Sequence, residues 1–341
     1  MKLNRIINTE KFSARLREKA INISRKAILI TNFFGSDQEK DFTDPANCNG
    51  FGRVRHFKFD AGKDWIPNPL PILPAAKALN LKLESEIRTQ AFQSSICNWR
   101  CWYCFVDFEL LSGNSKRASF LTCDEMLDLY QQQNNPPPVI DLTGGQPDLT
   151  PEWVPWMMEA LIERGLDKKI FLWSDDNLSN DYLWRYLTDS QINLMSTYKM
   201  YSRVCCFKGI DEISFSLNTK ADPKLFSYQY ELCKRLLDIN LDLYCYITLT
   251  ATTDTNFDMV VPKFFDEAQK ISELLPLRIL PLRIFKYSSI LSRLNDKFED
   301  MLIGQHLALE VWKKELSKRF SSDQLRLPIT DIELRKTKLI I

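Results

Sequence analysis

Three cysteines, Cys97, Cys101 and Cys104, fall in the stretch Cys97-Asn98-Trp99-Arg100-Cys101-Trp102-Tyr103-Cys104 at C-x3-C-x2-C spacing. No fourth partner lies nearby. Thiolates are soft ligands, and so short a loop can set three of them on three corners of an iron-sulfur cube, leaving one iron open to a different ligand. Two other readings stand beside this one. A structural zinc site normally closes four ligands in two short pairs, and neither His56 nor His306 has finger-like spacing from these cysteines. The three thiols can also be simple buried side chains. A second stretch, Thr143-Gly144-Gly145-Gln146-Pro147, ends the strand-like run Val139 to Thr143 with two glycines, where the backbone can turn or be approached closely.

The cysteine loop follows a run, Arg88 to Ile96, that reads as a strand, and Tyr103 places an aromatic just before the last cysteine. Together with Thr143 to Pro147, these features resemble the radical S-adenosylmethionine (SAM) enzymes, over about residues 88 to 287. The resemblance implies that Cys97, Cys101 and Cys104 hold a 4Fe-4S cluster whose open iron is chelated by the amino and carboxylate groups of SAM. It implies reductive cleavage of SAM to methionine and a 5'-deoxyadenosyl radical, with an electron donor such as a flavodoxin or ferredoxin as partner. It also places Tyr103, Gly144, Gly145 and Gln146 in the SAM site. Gln146 stands where the family has glutamate. Because the family uses this segment largely through backbone groups that meet the SAM ammonium, an amide can stand in, with the loss of a charge-assisted contact.

Strand and helix signals alternate between these motifs and beyond them, the pattern by which a chain builds a parallel sheet through right-handed crossovers. The expected class is α/β, a partial (β/α)6 barrel of the radical SAM type with N- and C-terminal extensions. Thr122 with Glu125 announces a helix through a capping box, and Thr150-Pro151 another. After Val139–Thr143, strands are expected at Lys169–Ser174, Glu212–Asn218, Leu243–Thr250 and Arg278–Phe285. In the expected fourth strand Ile213, Phe215 and Leu217 oppose Ser214, Ser216 and Asn218; in the second, Ile140 and Leu142 oppose Asp141 and Thr143. Polar inner faces suit an open barrel with room for SAM and a polar substrate, although solvent-facing sheet edges would alternate in the same way. Residues just past parallel strands form the binding face of such folds. By the resemblance, Ser174, Asp176, Ser216 and Asn218, carried over on position alone, contact the ribose and methionyl carboxylate. Asp175, Asp176 and Asn177 equally suit the cap of a following helix.

The chain has 341 residues, 45% hydrophobic and 26% charged, enough for one large core with extensions. Division is expected into residues 1–87, 88–287 and 288–341. Lys and Arg number 45 against 44 Asp and Glu, a formal charge of +1, so no global field draws the chain to nucleic acid. Lys2 and Arg5 interrupt the first six residues, which therefore lack a signal-peptide core, and no run is long enough to span a membrane. Nine cysteines without disulfide-framework spacing suit a reducing compartment, so a cytoplasmic location is expected. Cys205 and Cys206 are adjacent and Cys245 shares an apolar face with Leu243 and Ile247, so no second cluster is expected. The substrate expected is a small polar molecule or nucleotide. The alternatives are a protein or peptide modified by the same chemistry, or a noncatalytic metal-cluster interaction protein. The reaction class stays undetermined among oxidoreductase, lyase and transferase.

Overall fold

The computed structural model describes residues 6–334 apart from 42–43, 61 and 63. The start of the first extension and the last seven residues of the second lie outside the described residues. Helix α1 (Thr9–Ala20) is capped by Asn8, which accepts from the Lys11 N–H, and buries Leu16 and Ala20 while Phe12 is half-buried. Strands β1 (Ile21–Asn22) and β2 (Ala27–Thr31) follow, then β3 (Gly52–Lys58), helix α2 (Ile72–Leu79), β4 (Glu86–Gln93) and β5 (Ala118–Thr122). Strand β5 pairs with β2 in a small antiparallel sheet. Residues 31–82 thus contain a regular strand, β3, and a helix, α2, within the first extension.

The body of the molecule continues with α3 (Cys123–Gln131), β6 (Val139–Thr143), α4 (Trp153–Glu163), β7 (Phe171–Asp176), α5 (Tyr182–Tyr186), α6 (Asp189–Thr197) and β8 (Tyr201–Phe207). It ends with α7 (Glu212–Thr219), α8 (Leu225–Asp238), β9 (Leu243–Ile247), α9 (Phe257–Ile271), β10 (Ile279–Pro281), α10 (Ser288–Leu291), α11 (Asp296–Arg319) and the short α12 (Ser322–Arg326). The sheet order is β10-β9-β8-β7-β6-β4-β3, parallel throughout except where β3 pairs antiparallel with β4. Spatial order follows chain order, so the right-handed crossovers put their helices on one side. The sheet curls into a half-barrel of six parallel strands with β3 as a seventh, antiparallel edge.

Period-two alternation divides the sheet into two faces. Leu142, Leu172, Cys205, Cys245 and Ile247 pack outward with the helices, in one core with Leu161 and Phe264. Val139, Trp173, Val204 and Tyr244 point inward, where Ile72 of α2 and Ile329 and Ile332 near the C-terminus cover them. Those last contacts make a floor under the beginnings of the strands.

The fourth strand is not where alternation put it. Glu212–Asn218 belongs to α7: Asp211 accepts from the Ser214 N–H at 2.7 Å and its own N–H reaches Ser214 Oγ at 3.1 Å, a capping box that starts a helix despite the alternating side chains. Ile213 is accordingly 69% exposed. The true fourth strand is β8, whose central Arg203 disguised it. Elsewhere Thr122 and Glu125 do close the expected box on α3, whereas α4 begins at Trp153 and leaves Thr150 and Pro151 in the preceding turn.

Candidate functional site

The loop after β4 carries the three cysteines to the C-terminal ends of the parallel strands. All three are free thiols, Cys97 buried and the others half-buried, in one apolar cluster with Trp99, Leu110 and Phe215. The loop is held from several sides. The Gln146 N–H donates to Ile96 O (2.8 Å), the Cys97 N–H to Leu111 O (3.1 Å), the Trp102 N–H to Asn218 O (3.2 Å) and the Arg293 guanidinium to Cys104 O (2.7 Å). Burial pushes all three thiols up, Cys101 to about 12, while Arg100, Lys208 and Arg293 pull against it. A metal removes a coordinating thiol's proton outright, and the surrounding cations would then offset the thiolate charge. Desolvated thiols with cations around them suit a thiolate-bound cluster. Among the described residues no three Cys, His, Asp or Glu side chains converge as one ion requires; in a cluster each thiolate takes its own iron.

Gly144 and Gly145 turn the chain away from β6 with φ of +64° and +57°. A Cβ on Gly145 would stand 2.1 Å from Ile96 O, and one on Gly144 2.3 Å from Gln93 Cγ, so both glycines are demanded by packing of this turn on the end of β4. Gln146 is fully buried. Its amide donates to Asp176 Oδ1 (2.8 Å) and its carbonyl accepts from the Asn177 N–H (2.9 Å), so the side chain is engaged within the protein. A glutamate here would bring a second carboxylate against Asp176.

Strand parity sorts the other candidates. Ser174 and Asp176 share the outward face of β7 with Leu172, while Asp175 between them points inward with Trp173. Ser174 Oγ lies 2.8 Å from the Tyr201 hydroxyl, which accepts from Arg203 Nε (3.0 Å). Arg203 Nη1, fully buried, donates to Asp148 Oδ2 (2.6 Å) and lies 3.6 Å from Asp176 Oδ2. Asp176 also accepts from the Leu178 N–H, and Asn180 rather than residues 175–177 caps the turn into Tyr182. Ser216 and Asn218, expected on a strand, sit on α7. Ser216 Oγ donates to Ala221 O at that helix's end (2.8 Å), whereas Asn218 Oδ1 receives the Trp102 indole N–H (3.0 Å) and so braces the cysteine loop.

The inner face holds polar groups that motif positions alone did not single out. Asp141 and Thr143 lie there, as the alternation of β6 implied, and Arg55 of β3 donates to Asp141 Oδ2 (2.8 Å) while Thr143 Oγ1 donates to Asp175. Burial and the Asp175 charge push Asp141 up to about 7 against the pull of Arg55. Asp141 Oδ1 is buried with no hydrogen-bond partner. Tyr103 donates to Thr248 Oγ1 (3.1 Å), Tyr246 to Asn68 Oδ1 (3.1 Å), and half-buried Lys208 faces Cys101, Cys206 and Tyr103. The signal for Arg55 was its period-two spacing from Arg53 and Phe57, which puts all three on one face of β3; for Asp175, it was parity. A cavity of about 510 Å³ opens elsewhere, at the starts of β8 and β9 beside Arg278.

No helix among the described residues is long and apolar enough to cross a membrane. No family model and no curated protein matches the sequence. The solved structures similar to this chain include Streptococcus suis SuiB bound to precursor peptide SuiA, at 16% identity over 63% of this chain and 45% of that one, TM-score 0.38. Native anSMEcpe with bound AdoMet is another, at 16% identity over 66% and 60%, TM-score 0.42. A third is native anSMEcpe with bound AdoMet and Cp18Cys peptide, at 17% over 57% and 50%, TM-score 0.39. The chain spans less than two thirds of the length of each.

Proposed function

We propose that this chain is a radical SAM enzyme acting on a polar substrate held inside the half-barrel. The observation that carries the reading is the cysteine loop: three free thiols at C-x3-C-x2-C spacing, desolvated, ringed by cations and placed where parallel strands end. Cys97, Cys101 and Cys104 are the ligands for a 4Fe-4S cluster. When bound, the cluster and SAM supply a one-electron cleavage that yields a 5'-deoxyadenosyl radical. Gly144 and Gly145 bring their backbone against the loop, Lys208 offers a cation to a carboxylate, and Tyr103 is kept in place by Thr248. Asn218 braces the loop, and Ser174 and Asp176 act from behind the sheet through the network around Arg203. Arg55, Asp141 and Asp175 face the substrate. An electron donor such as a flavodoxin or ferredoxin and a reducing, cytoplasmic setting complete the reading.

Two substrate classes remain within it, a small polar molecule and a peptide. The polar face of Glu212–Asn218 was one leg of the small-molecule reading, and its place on a helix removes that leg. SuiB and anSMEcpe have been solved with peptides bound, so a peptide belongs in the first assays.

Anaerobic reconstitution tests the reading. The chain should take up about four irons and four sulfides with a brown thiolate-to-iron band, and Cys97→Ala, Cys101→Ala and Cys104→Ala should each lose them. With dithionite and SAM the loaded protein should release 5'-deoxyadenosine. Tetrahedral zinc in the native protein, or full iron content in all three variants, would sink it.

A further inference from the structure

Gln146 and the cysteine loop are joined through one residue, Asn177. Its backbone N–H is held by Gln146 Oε1 at 2.9 Å, and its side-chain Nδ2 lies 3.2 Å from Asn98 Oδ1 and 3.9 Å from Cys97 Sγ. The orientation of the amide follows from its neighbours. Ser13 Oγ gives its proton to Thr9 O (2.6 Å) and so can only accept from Asn98, through Nδ2 (3.0 Å); Asn98 Oδ1 is then an acceptor and the nitrogen of Asn177 must face it, which aims the same nitrogen at the sulfur. Asn177 Oδ1 is left buried without a hydrogen-bond partner, an acceptor available to a ligand's donor group.

The turn is held against its own preference. Leu178 has φ of +55°, a left-handed conformation costly for a leucine, and the Asp176 carboxylate fixes it by accepting the Leu178 N–H at 2.8 Å. Asp176 is in turn bound by the Gln146 amide at 2.8 Å. One side chain, Gln146, thus secures both residues of the turn that present Asn177 to Cys97. The neutral amide can do this because it donates to one group and accepts from the other; a carboxylate cannot donate to Asp176.

We propose that Asn177 is a positioning residue that tunes the cluster, its N–H on the Cys97 sulfur making a bound cluster easier to reduce, and that Gln146 is there to hold Asn177 in place. The inference rests on the radical SAM reading. A hydrogen-bond donor at a ligating sulfur stabilises the reduced cluster, which carries the additional negative charge, so losing the donor moves the reduction midpoint to more negative values.

The experiment is an EPR-monitored redox titration of the anaerobically loaded full chain, with iron content and circular dichroism measured alongside. Asn177→Leu and the milder Asn177→Ser should keep their iron and fold, yet shift the midpoint negative by about 59 mV, tenfold in a one-electron equilibrium. Gln146→Leu should move it in the same direction by less. Unchanged midpoints in folded, fully loaded Leu and Ser variants would overturn the inference while leaving the radical SAM reading intact. Loss of iron from a folded Asn177→Ser would overturn it too, since Asn177 would then retain the cluster instead of tuning it. A parent chain that takes up no cluster would remove both.

Discussion

The two faces of the curled sheet use buried charge in opposite ways. On the outer face, Arg203 is enclosed by Asp148, Asp176 and the Tyr201 hydroxyl, and Asp176 is further tied to Gln146 and Leu178. These contacts are internal and bind the strand ends to the turns behind them. On the inner face, Arg55 reaches Asp141 from an edge strand and is itself about a quarter exposed, and Asp141 keeps one oxygen without a partner. The same residue types therefore form an enclosed network on one side and a pair with one solvent-reaching partner, Arg55, on the other. Both faces keep an orphaned carboxylate oxygen, Asp141 Oδ1 inside and Asp148 Oδ1 outside, so the difference lies in access: Arg203 is wholly enclosed, whereas Arg55 reaches solvent from the edge of the sheet.

The largest expected effect is on the outer face. Arg203→Ala leaves Asp148 and Asp176 buried without their cation and should cost roughly 3–5 kcal/mol of stability in urea unfolding; a loss near zero would mean that the outer charges are not structural. Gln146→Glu should cost less, about 1–3 kcal/mol, by setting a carboxylate against Asp176 and removing its donor. An unchanged urea midpoint there would break the link between Gln146 and the outer network.

Asp141→Asn sharpens the contrast from the other side. Asp141 titrates at about 7 in the fold and at about 3.9 unfolded, so between these values the folded chain binds more protons and the parent gains stability as pH falls. The Asn variant should gain on the parent as pH rises from 5 to 7.5, the interval in which the parent's buried carboxyl loses its proton. A pH-independent difference would place the titration elsewhere. His56, on the edge strand β3 opposite Arg88, should show the smallest effect. Asp44 and Glu86 raise it above its ordinary value, so its contribution is fully present below about pH 6.5 and fades as pH climbs through the raised value. The gap in Tm between parent and His56→Gln should close from pH 6 to pH 8.5.

The fold and the site were legible to different depths. The cysteine loop, the double glycine and five of the six parallel strands stand out because each rests on local chemistry: ligand spacing, backbone freedom, an apolar run between turns. Strand β8 did not, because a charged residue at the centre of a buried strand is acceptable only when a distant partner, here Asp148, neutralises it. The false strand at Glu212–Asn218 shows that six alternating residues cannot outweigh a capping aspartate just before them. At the end of β7 the sequence Ser174-Asp175-Asp176 offers two carboxylates and no way to tell which faces inward until the register of Trp173 is known. Strand β3 escaped for a related reason, since a strand that is polar on both faces looks like a loop.

The floor beneath the inner face joins distant parts of the chain. Ile329 and Ile332 pack with Ile72 of α2 against Val139, Trp173 and Tyr244, and Lys77 of α2 meets Asp331 at 2.8 Å. On a ribosome, where the parallel strands emerge in the order in which they lie side by side, the outer layer can assemble unit by unit while the base of the half-barrel waits, unsealed, for residues more than a hundred positions after Trp173. Through that interval an aromatic surface stands open at the bottom of an otherwise folding domain, the natural place for a holdase to bind and for a prematurely terminated chain to be recognised and destroyed.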